Sequence, residues 1–473
     1  MVLAGACLQV KHDYVKMKKV FALYSVLIVL FSVSCNNTDV YVNVAPLAVM
    51  GPVKPMNAAN NGPVKANMES YAALQIPYAR PHDAALTEVY VAKRCVDVSA
   101  VFPDWDAPVD DPASYDFVNT DVLIANMINA GTKPFYRLGQ SIEHGAKKYG
   151  IYPPKDNMKW ARICEHIIRH YNEGWADGFH YDIEYWEIWN EPDLDVKEGR
   201  QFTDPRTWAG TLDQFNQLYV TAACHLRSCF PDIKIGGPAY ASPLKPMGDF
   251  LDCIKEHDAP LDFFSWHRYD SIPEHYVNRA LKVREQLDAR GFVKTESILD
   301  EWNYVRSWTE KDFYSARVRP SAKAGAFVAA VMCSLQNAPL DMLMYYDLRP
   351  YTSYNGAFAA YTFDPQPPYY ALYYWSQLAA LGSQVKAEVS GKDIYGCAAS
   401  DGKTVRVLLA NYNDAEGQCI HGKVRVNVPG ASGRCRCLIT DGSHMNVSRE
   451  LPVRKGRVSV TLDSYSIMLL EFE

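Results

Sequence analysis

The sequence predicts an α/β protein, a (β/α)8 TIM barrel followed by a C-terminal antiparallel β-sandwich. Three observations lead there. Short apolar runs alternate with helical stretches through most of the chain. Polar side chains gather at the C-terminal end of run after run. The last stretch, of about 90 residues, switches to two-residue alternation, the period of a half-buried strand. Composition agrees: 48% apolar and 22% charged residues over 473 positions fit a globular protein. The net charge of −6 argues against a nucleic-acid binder, which needs a basic face. The 31 tyrosines and 10 tryptophans stand out, because their apolar faces and polar tips suit contact with polar molecules.

The elements follow in order. Met17-Lys18-Lys19 precedes an apolar run from Val20 to Val33, too short to span a bilayer and of the form of a secretory signal. Ser34-Cys35 ends that run and resembles a bacterial lipobox, with Cys35 the lipidated residue; ordinary cleavage nearby is the alternative, and Met17 is a candidate start. Residues 1–35 are therefore expected to be an export address, and the protein periplasmic or anchored to the outer membrane as a lipoprotein. Residues 36–48 read as a strand that can join the sandwich. Residues 49–382 read as the barrel. Its runs lie around Val49, at Pro77 to Arg80, Lys133 to Arg137, Tyr185 to Trp189 and Ile233 to Gly237, and then at Phe263 to His267, Ser297 to Glu301 and Met342 to Tyr346. The helical segments between them include Trp160 to Tyr171 and Phe215 to Arg227. Strands alternating with helices imply a parallel sheet, and a doubly wound sheet is disfavoured because no GxGxxG loop is present. Tyr369 to Leu381 reads as a closing helix. Residues 383–473 form the sandwich, with turns at Asp401-Gly402 and Asp441-Gly442. The 12 cysteines show no CxxC or HExxH spacing and read as buried free thiols, with no structural zinc.

In a parallel barrel the strand ends open on one face, where active sites lie. That face would collect Arg80, His82, Arg137, Asn190, Glu191, His267, Tyr269, Glu301, Tyr345 and Tyr346. The sharpest motif is Trp186-Glu187-Ile188-Trp189-Asn190-Glu191-Pro192-Asp193, matched by Leu299-Asp300-Glu301-Trp302-Asn303. Glu191 ends the fourth run and Glu301 the seventh, so their carboxylates can face each other across the mouth. Glycoside hydrolysis needs such a pair: one carboxylic acid to protonate the leaving oxygen, one carboxylate to attack or to activate water. The spacing of the pair, which the sequence does not give, decides between retention and inversion. Asp300 is expected to point away from Glu301, and Arg137 to be structural by a small margin. Trp302, Tyr304 and Trp308 can stack on sugar rings, and one of Tyr345 and Tyr346, here assigned as Tyr346, should face the mouth.

With Asn190-Glu191-Pro192 ending the fourth strand and Glu301 the seventh, the chain resembles the retaining glycoside hydrolases of clan A. The WEIWNEPD context, His267-Arg268-Tyr269 and the trailing sandwich are most similar to glycoside hydrolase family 39, which includes β-xylosidases and α-L-iduronidases. Glu184 and Trp186 depart from the family pattern. The resemblance implies Glu191 as acid/base and Glu301 as nucleophile. It implies Asn190 as a ligand of a sugar hydroxyl, and His267 and Tyr269 as neighbours of the nucleophile. It extends, more loosely, to Arg80 and His82 as substrate ligands. The expected partner is an oligosaccharide or glycoside of plant or host origin, cleaved from its end by an enzyme without cofactor. Competing readings are a non-catalytic glycan-binding lipoprotein on a barrel and an endo-acting glycanase of the same clan.

Overall fold

A computed structural model describes residues 40–83, 95–195, 204–310, 312–415 and 422–473. The export segment and Cys35 lie outside the described residues.

Eight strands close a parallel barrel: β2 (Ala58–Asn60), β3 (Tyr78–Arg80), β4 (Lys133–Leu138), β5 (Tyr185–Ile188), β6 (Lys234–Tyr240), β7 (Phe263–Asp270), β8 (Glu296–Tyr304) and β9 (Met342–Tyr345). The run around Val49 is not among them. It belongs to β1 (Val40–Pro52), and the first barrel strand is the three-residue Ala-Ala-Asn of β2, inside a Pro/Asn/Gly-rich stretch too short to show a period. The other seven runs are barrel strands. The helices between them carry clear end signals. The helix Asn157–Glu173 starts where the Asp156 carboxylate accepts from the Met158 and Lys159 amides, and it stops at Gly174 in the left-handed region. Thr211 and Gln214 form a capping box at the start of the helix Leu212–Cys229. Inside the barrel, the N-terminal end is plugged by an apolar layer of Ala58, Phe135, Tyr185, Phe263, Ile298, Met342 and Met344.

The remaining strands form one hydrogen-bonded sheet around a second core. They are β10 (Ser383–Val389), β11 (Ile394–Ser400), β12 (Val405–Asn411), β13 (Gly422–Asn427), β14 (Arg434–Thr440), β15 (Val447–Pro452), β16 (Arg457–Leu462) and β17 (Ile467–Phe472). The order is β15-β14-β17-β12-β11-β10-β1-β13-β16. Strand β1 sits inside it, antiparallel to β10 and parallel to β13. Alternate residues of β12 serve two cores: Val407 and Leu409 face the sheet's own interior, while Leu408 and Ala410 pack with the barrel's outer layer, which includes the helices Ala322–Gln336 and Pro367–Ala379. Asp414 ties the loop after β12 to the barrel rim, accepting from Tyr304 Oη at 2.6 Å and Ser271 Oγ at 2.9 Å and pairing with Lys323 Nζ at 3.0 Å. The cysteines among the described residues are free, but not all are buried: Cys224 is exposed and Cys229 and Cys253 are half-buried, because they face outward on surface helices.

Candidate active site

The mouth of the barrel holds a cavity of about 650 Å3 lined by Glu191, Glu301, His267, Tyr269, His82 and Tyr346 among others. Beneath it lies a charged layer organised by Arg80, which is fully buried on β3. Its Nε donates to Glu187 Oε2 at 2.6 Å and lies 3.1 Å from Asp300 Oδ2. Its Nη1 donates to Glu301 Oε1 at 2.9 Å, and its Nη2 to Asn190 Oδ1 at 2.7 Å. One guanidinium thus fixes residues from β5, β8 and the turn after β5, as its rigid fork of donors allows. Burial works against that charge, yet Glu187, Asp300 and Glu301 hold Arg80 firmly protonated.

Asp300 does not point away from Glu301 as strict alternation requires. Trp266 opposes Leu299 and His267 opposes Glu301, so Asp300 is the extra residue of a bulge in β8. The bulge turns Asp300 inward onto Arg80. Burial would raise the Asp300 carboxyl, but Arg80 and His267 outweigh it and hold it low. Its neighbour Glu187 is pushed up to about 8, first by burial and then by Asp300, against the pull of Arg80.

Glu301 receives three donors. Tyr269 Oη lies 2.8 Å from Oε2, Arg80 Nη1 2.9 Å from Oε1, and His82 Nε2 3.3 Å from Oε1. Burial pushes Glu301 up to about 7, against His267 and Arg80 and with Glu191 adding to the rise. His82 is kept well below the ordinary imidazole range by burial and by Arg80, so it is neutral and its Nε2–H can donate to Glu301. Glu191 follows β5 with φ of 48°, a left-handed conformation uncommon outside glycine. Its amide donates to Ala239 O at 3.0 Å and its carbonyl accepts from Thr207 Oγ1 at 2.6 Å, which hold the turn. His267 Nδ1 lies 2.8 Å from Glu191 Oε1 and 3.5 Å from Glu301 Oε2, bridging the pair. Burial opposes a charged His267, but Glu301 and Asp300 prevail, and the imidazolium donates to Glu191. One oxygen of Glu191 and one of Glu301 lie within 4.8 Å of each other.

Asn190 is buried; its Oδ1 is taken by Arg80, and its Nδ2 is left without a partner, a donor available to a sugar hydroxyl. Tyr346 lines the cavity, whereas Tyr345 is buried against Trp302. Trp302 is not at the mouth. It follows Glu301 on β8, points to the helical layer and packs on Tyr276 and Phe327. Tyr304 is likewise turned outward to Asp414. Of the aromatic residues after Glu301, Trp308 lines the cavity and is exposed, set edge-on to Tyr269 at 5.4 Å. Arg137 is buried and pairs with Asp97 at 2.6 Å. Glu184 pairs with Lys234 and Trp186 packs on Tyr136, both away from the cavity, so the two departures in the motif leave the site untouched. Sequence reasoning missed Asp193, which accepts from the Ala241 and Ser242 amides at 2.9 and 2.7 Å and fixes the turn after β6. Burial carries its carboxyl up to about 7. Its place directly after Pro192 was the available signal.

Two groups of side chains among the described residues have metal-ligand spacing: Glu191, His267 and Glu301 at the mouth, and Glu165, His225 and Cys229 on the outer helices. Each already meets a cationic side chain, Arg80 on Glu301 and Arg169 on Glu165 at 2.9 Å, which disfavours a further cation.

Fold and site together define a class: (β/α)8 proteins with two facing glutamates at a carboxylate-lined mouth. Comparison narrows the class. Residues 93–362 match glycosyl hydrolases family 39, more than half of the chain, and the protein belongs to that family. Over 168 residues it is 31% identical to a β-xylosidase of Caldicellulosiruptor saccharolyticus, covering 33% of this chain and 31% of that protein. Over 173 residues it is 27% identical to a β-xylosidase of Geobacillus stearothermophilus. The match thus spans about a third of these relatives' length. In structure it is similar to a glucosidase from Croceicoccus marinus (TM-score 0.73, 23% identity, covering 92% of this chain and 99% of that one). It is also similar to a monomeric β-xylosidase from Caulobacter crescentus (TM-score 0.66, 17% identity, covering 92% and 99%).

Proposed function

We propose that the protein is a retaining, exo-acting glycoside hydrolase of β-xylosidase type that works by double displacement. The observation that carries this reading is the facing carboxylate pair, with one oxygen of each within 4.8 Å of the other, which favours the short carboxyl separation of retaining enzymes over the wider one of inverting enzymes. Glu301, gripped by Arg80 and Tyr269, is positioned as the nucleophile; Glu191, facing the cavity beside one imidazole, is the acid/base. A Glu301 oxygen bonds to the anomeric carbon while the bond to the leaving oxygen breaks and Glu191 gives that oxygen its proton. Glu191 then takes a proton from water, the water oxygen bonds to the anomeric carbon, and the Glu301 ester breaks, releasing a sugar of unchanged anomeric configuration. The Asn190 amide is a ligand for the neighbouring hydroxyl. Relatives described as β-xylosidases support the sugar class, and the leader sequence supports export as a lipoprotein.

The test is the variant Glu301→Ala on an aryl β-xyloside. Turnover should fall by ~10^4-fold or more. Added azide should restore release of the aryl group and yield the α-glycosyl azide, the opposite anomer. Undiminished turnover, or azide product of retained anomer, refutes the nucleophile assignment.

A further inference from the structure

Around the cavity the charged groups divide between two halves. On one side Arg80 and His82 contact Glu301, with Asn190 bonded to Arg80 and Tyr346 lining the wall. The other side is built from the ends of β6 and β7 and from the helix Pro273–Ala289, and it carries Arg268 and Arg279. These two guanidiniums are unequally satisfied. Arg268 pairs through Nη2 with Asp270 on its own strand, while its Nε is buried and without a partner. Arg279 has no hydrogen bond and no ion pair among the described residues, although it is half-buried at the cavity wall. Burial, and then the charge of Arg268, lower its pKa, with Asp270 acting the other way.

The acidic groups near by are already engaged. Asp270 is shared between Arg268 and His275, whose Nδ1 lies 3.0 Å away. Arg206, which also lines the cavity, holds Asp195 at 2.7 Å. Glu191 and Glu301 are occupied by His267, Arg80 and Tyr269. The far half of the cavity therefore carries a guanidinium with no hydrogen bond or ion pair among the described residues and a buried unpaired donor, while the nearest carboxylate, Asp270, is shared between Arg268 and His275. Partly desolvated arginine is a costly arrangement unless an anion completes it.

We propose that Arg279 and Arg268 form a subsite for a carboxylate on the sugar that leaves, so that the substrate is a glycoside whose aglycone is a uronic acid. An arginine fork matches a two-oxygen carboxylate, and the Arg268 Nε can supply a further donor. Exposed Trp308 lines the same cavity and offers a face for the ring that bears the carboxylate. The inference rests on the hydrolase reading only in naming this sugar as the leaving one; the subsite itself is a matter of binding.

Ligand-observed NMR titration of the full chain tests it without turnover. Glucuronate, its neutral methyl ester and glucose 6-sulfate are the probes, applied to the wild type, Arg279→Met and Arg279→Lys. Glucuronate should bind the wild type about tenfold more tightly than the ester, the scale of one charge-assisted contact. Arg279→Met should erase that preference and Arg279→Lys should keep part of it. Because Arg279 has no partner to lose, both variants should melt within a few degrees of the wild type. Equal binding of glucuronate and ester, or a preference that survives Arg279→Met, overturns the proposal. Tighter binding of the sulfate than of glucuronate overturns its assignment to carboxylate. A protein that binds glucuronate in this way yet fails to hydrolyse any glycoside loses the catalytic reading and keeps the subsite.

Discussion

The two ends of the barrel are built from the same eight strands and filled in opposite ways. At the N-terminal end, Phe135, Tyr185, Phe263, Ile298 and Met342 form an apolar plug. A few residues further along the same strands, Glu187, Arg80, His267, Asp300 and Glu301 form a layer of charge with side chains as fully buried as those of the plug. Apart from the Tyr185 hydroxyl, which is bonded to Glu296 and Lys234, the plug is stabilised by apolar contact and tolerates volume-conserving exchange. The charged layer is stable only as a set, because each member neutralises or hydrogen-bonds another, and removing one leaves the rest uncompensated. Packing holds the barrel closed, and the charged set places the chemistry.

Four measurements can break or sharpen that contrast. The largest effect is expected from Arg80→Met, which leaves Glu187, Asp300 and Glu301 without their shared cation. It should cost about 3–5 kcal/mol of stability and abolish turnover in whatever remains folded, read by denaturant unfolding and aryl xyloside assay. Phe263→Ala should cost a similar ~3–5 kcal/mol through a cavity in the plug. Its turnover per folded molecule should stay near that of the wild type; a large loss there would show that the two layers are not separable. The third measurement is the pH profile. As the proposed nucleophile, Glu301 must be a carboxylate to attack, and its carboxyl is raised to about 7, so kcat/KM should fall as pH drops through that value. Tyr269→Phe, which removes a donor to the Glu301 carboxylate, should move the acid limb to higher pH. The smallest effect belongs to Trp308→Ala. Stability should change by less than ~0.5 kcal/mol because the ring is exposed. KM should rise several-fold, with kcat little changed.

Much of this was legible in the chain. Seven barrel strands announced themselves as short apolar or aromatic runs, and polar residues at the ends of six of them gave the mouth. Strand β2 was hidden because three residues carry no period, and β1 was misread because its exposed end at Val49 and Met50 looks like another apolar run. In the sheet, β11 carries no clear alternation because its two faces meet two cores, so Ala398 and Ala399 are both buried. Strand β15 carries none for the opposite reason, being an exposed edge. At the site, Glu191, Glu301, Asn190, His267, Tyr269, Arg80, His82 and Tyr346 come together. Trp302 does not, because it directly follows Glu301 on β8 and alternation turns it outward; Asp300 turns inward because of a bulge in β8 that no pattern of residue types records. The hub role of Arg80 was equally invisible, since it depends on four partners that meet only when the barrel closes.

Strand β1 has a consequence for how the chain reaches its folded state. Val42 is synthesised early and pairs with Val389, on the far side of the whole barrel in sequence. Until the end of the chain emerges, Val40, Val42 and Val44 have neither β10 nor β13 to cover them. The contact has the highest kind of sequence separation, which slows closure, and a strand waiting for its neighbours is open to pairing with another chain. Translation order thus makes the sheet the last part to complete, and it locks a barrel that has had the length of its own synthesis to form.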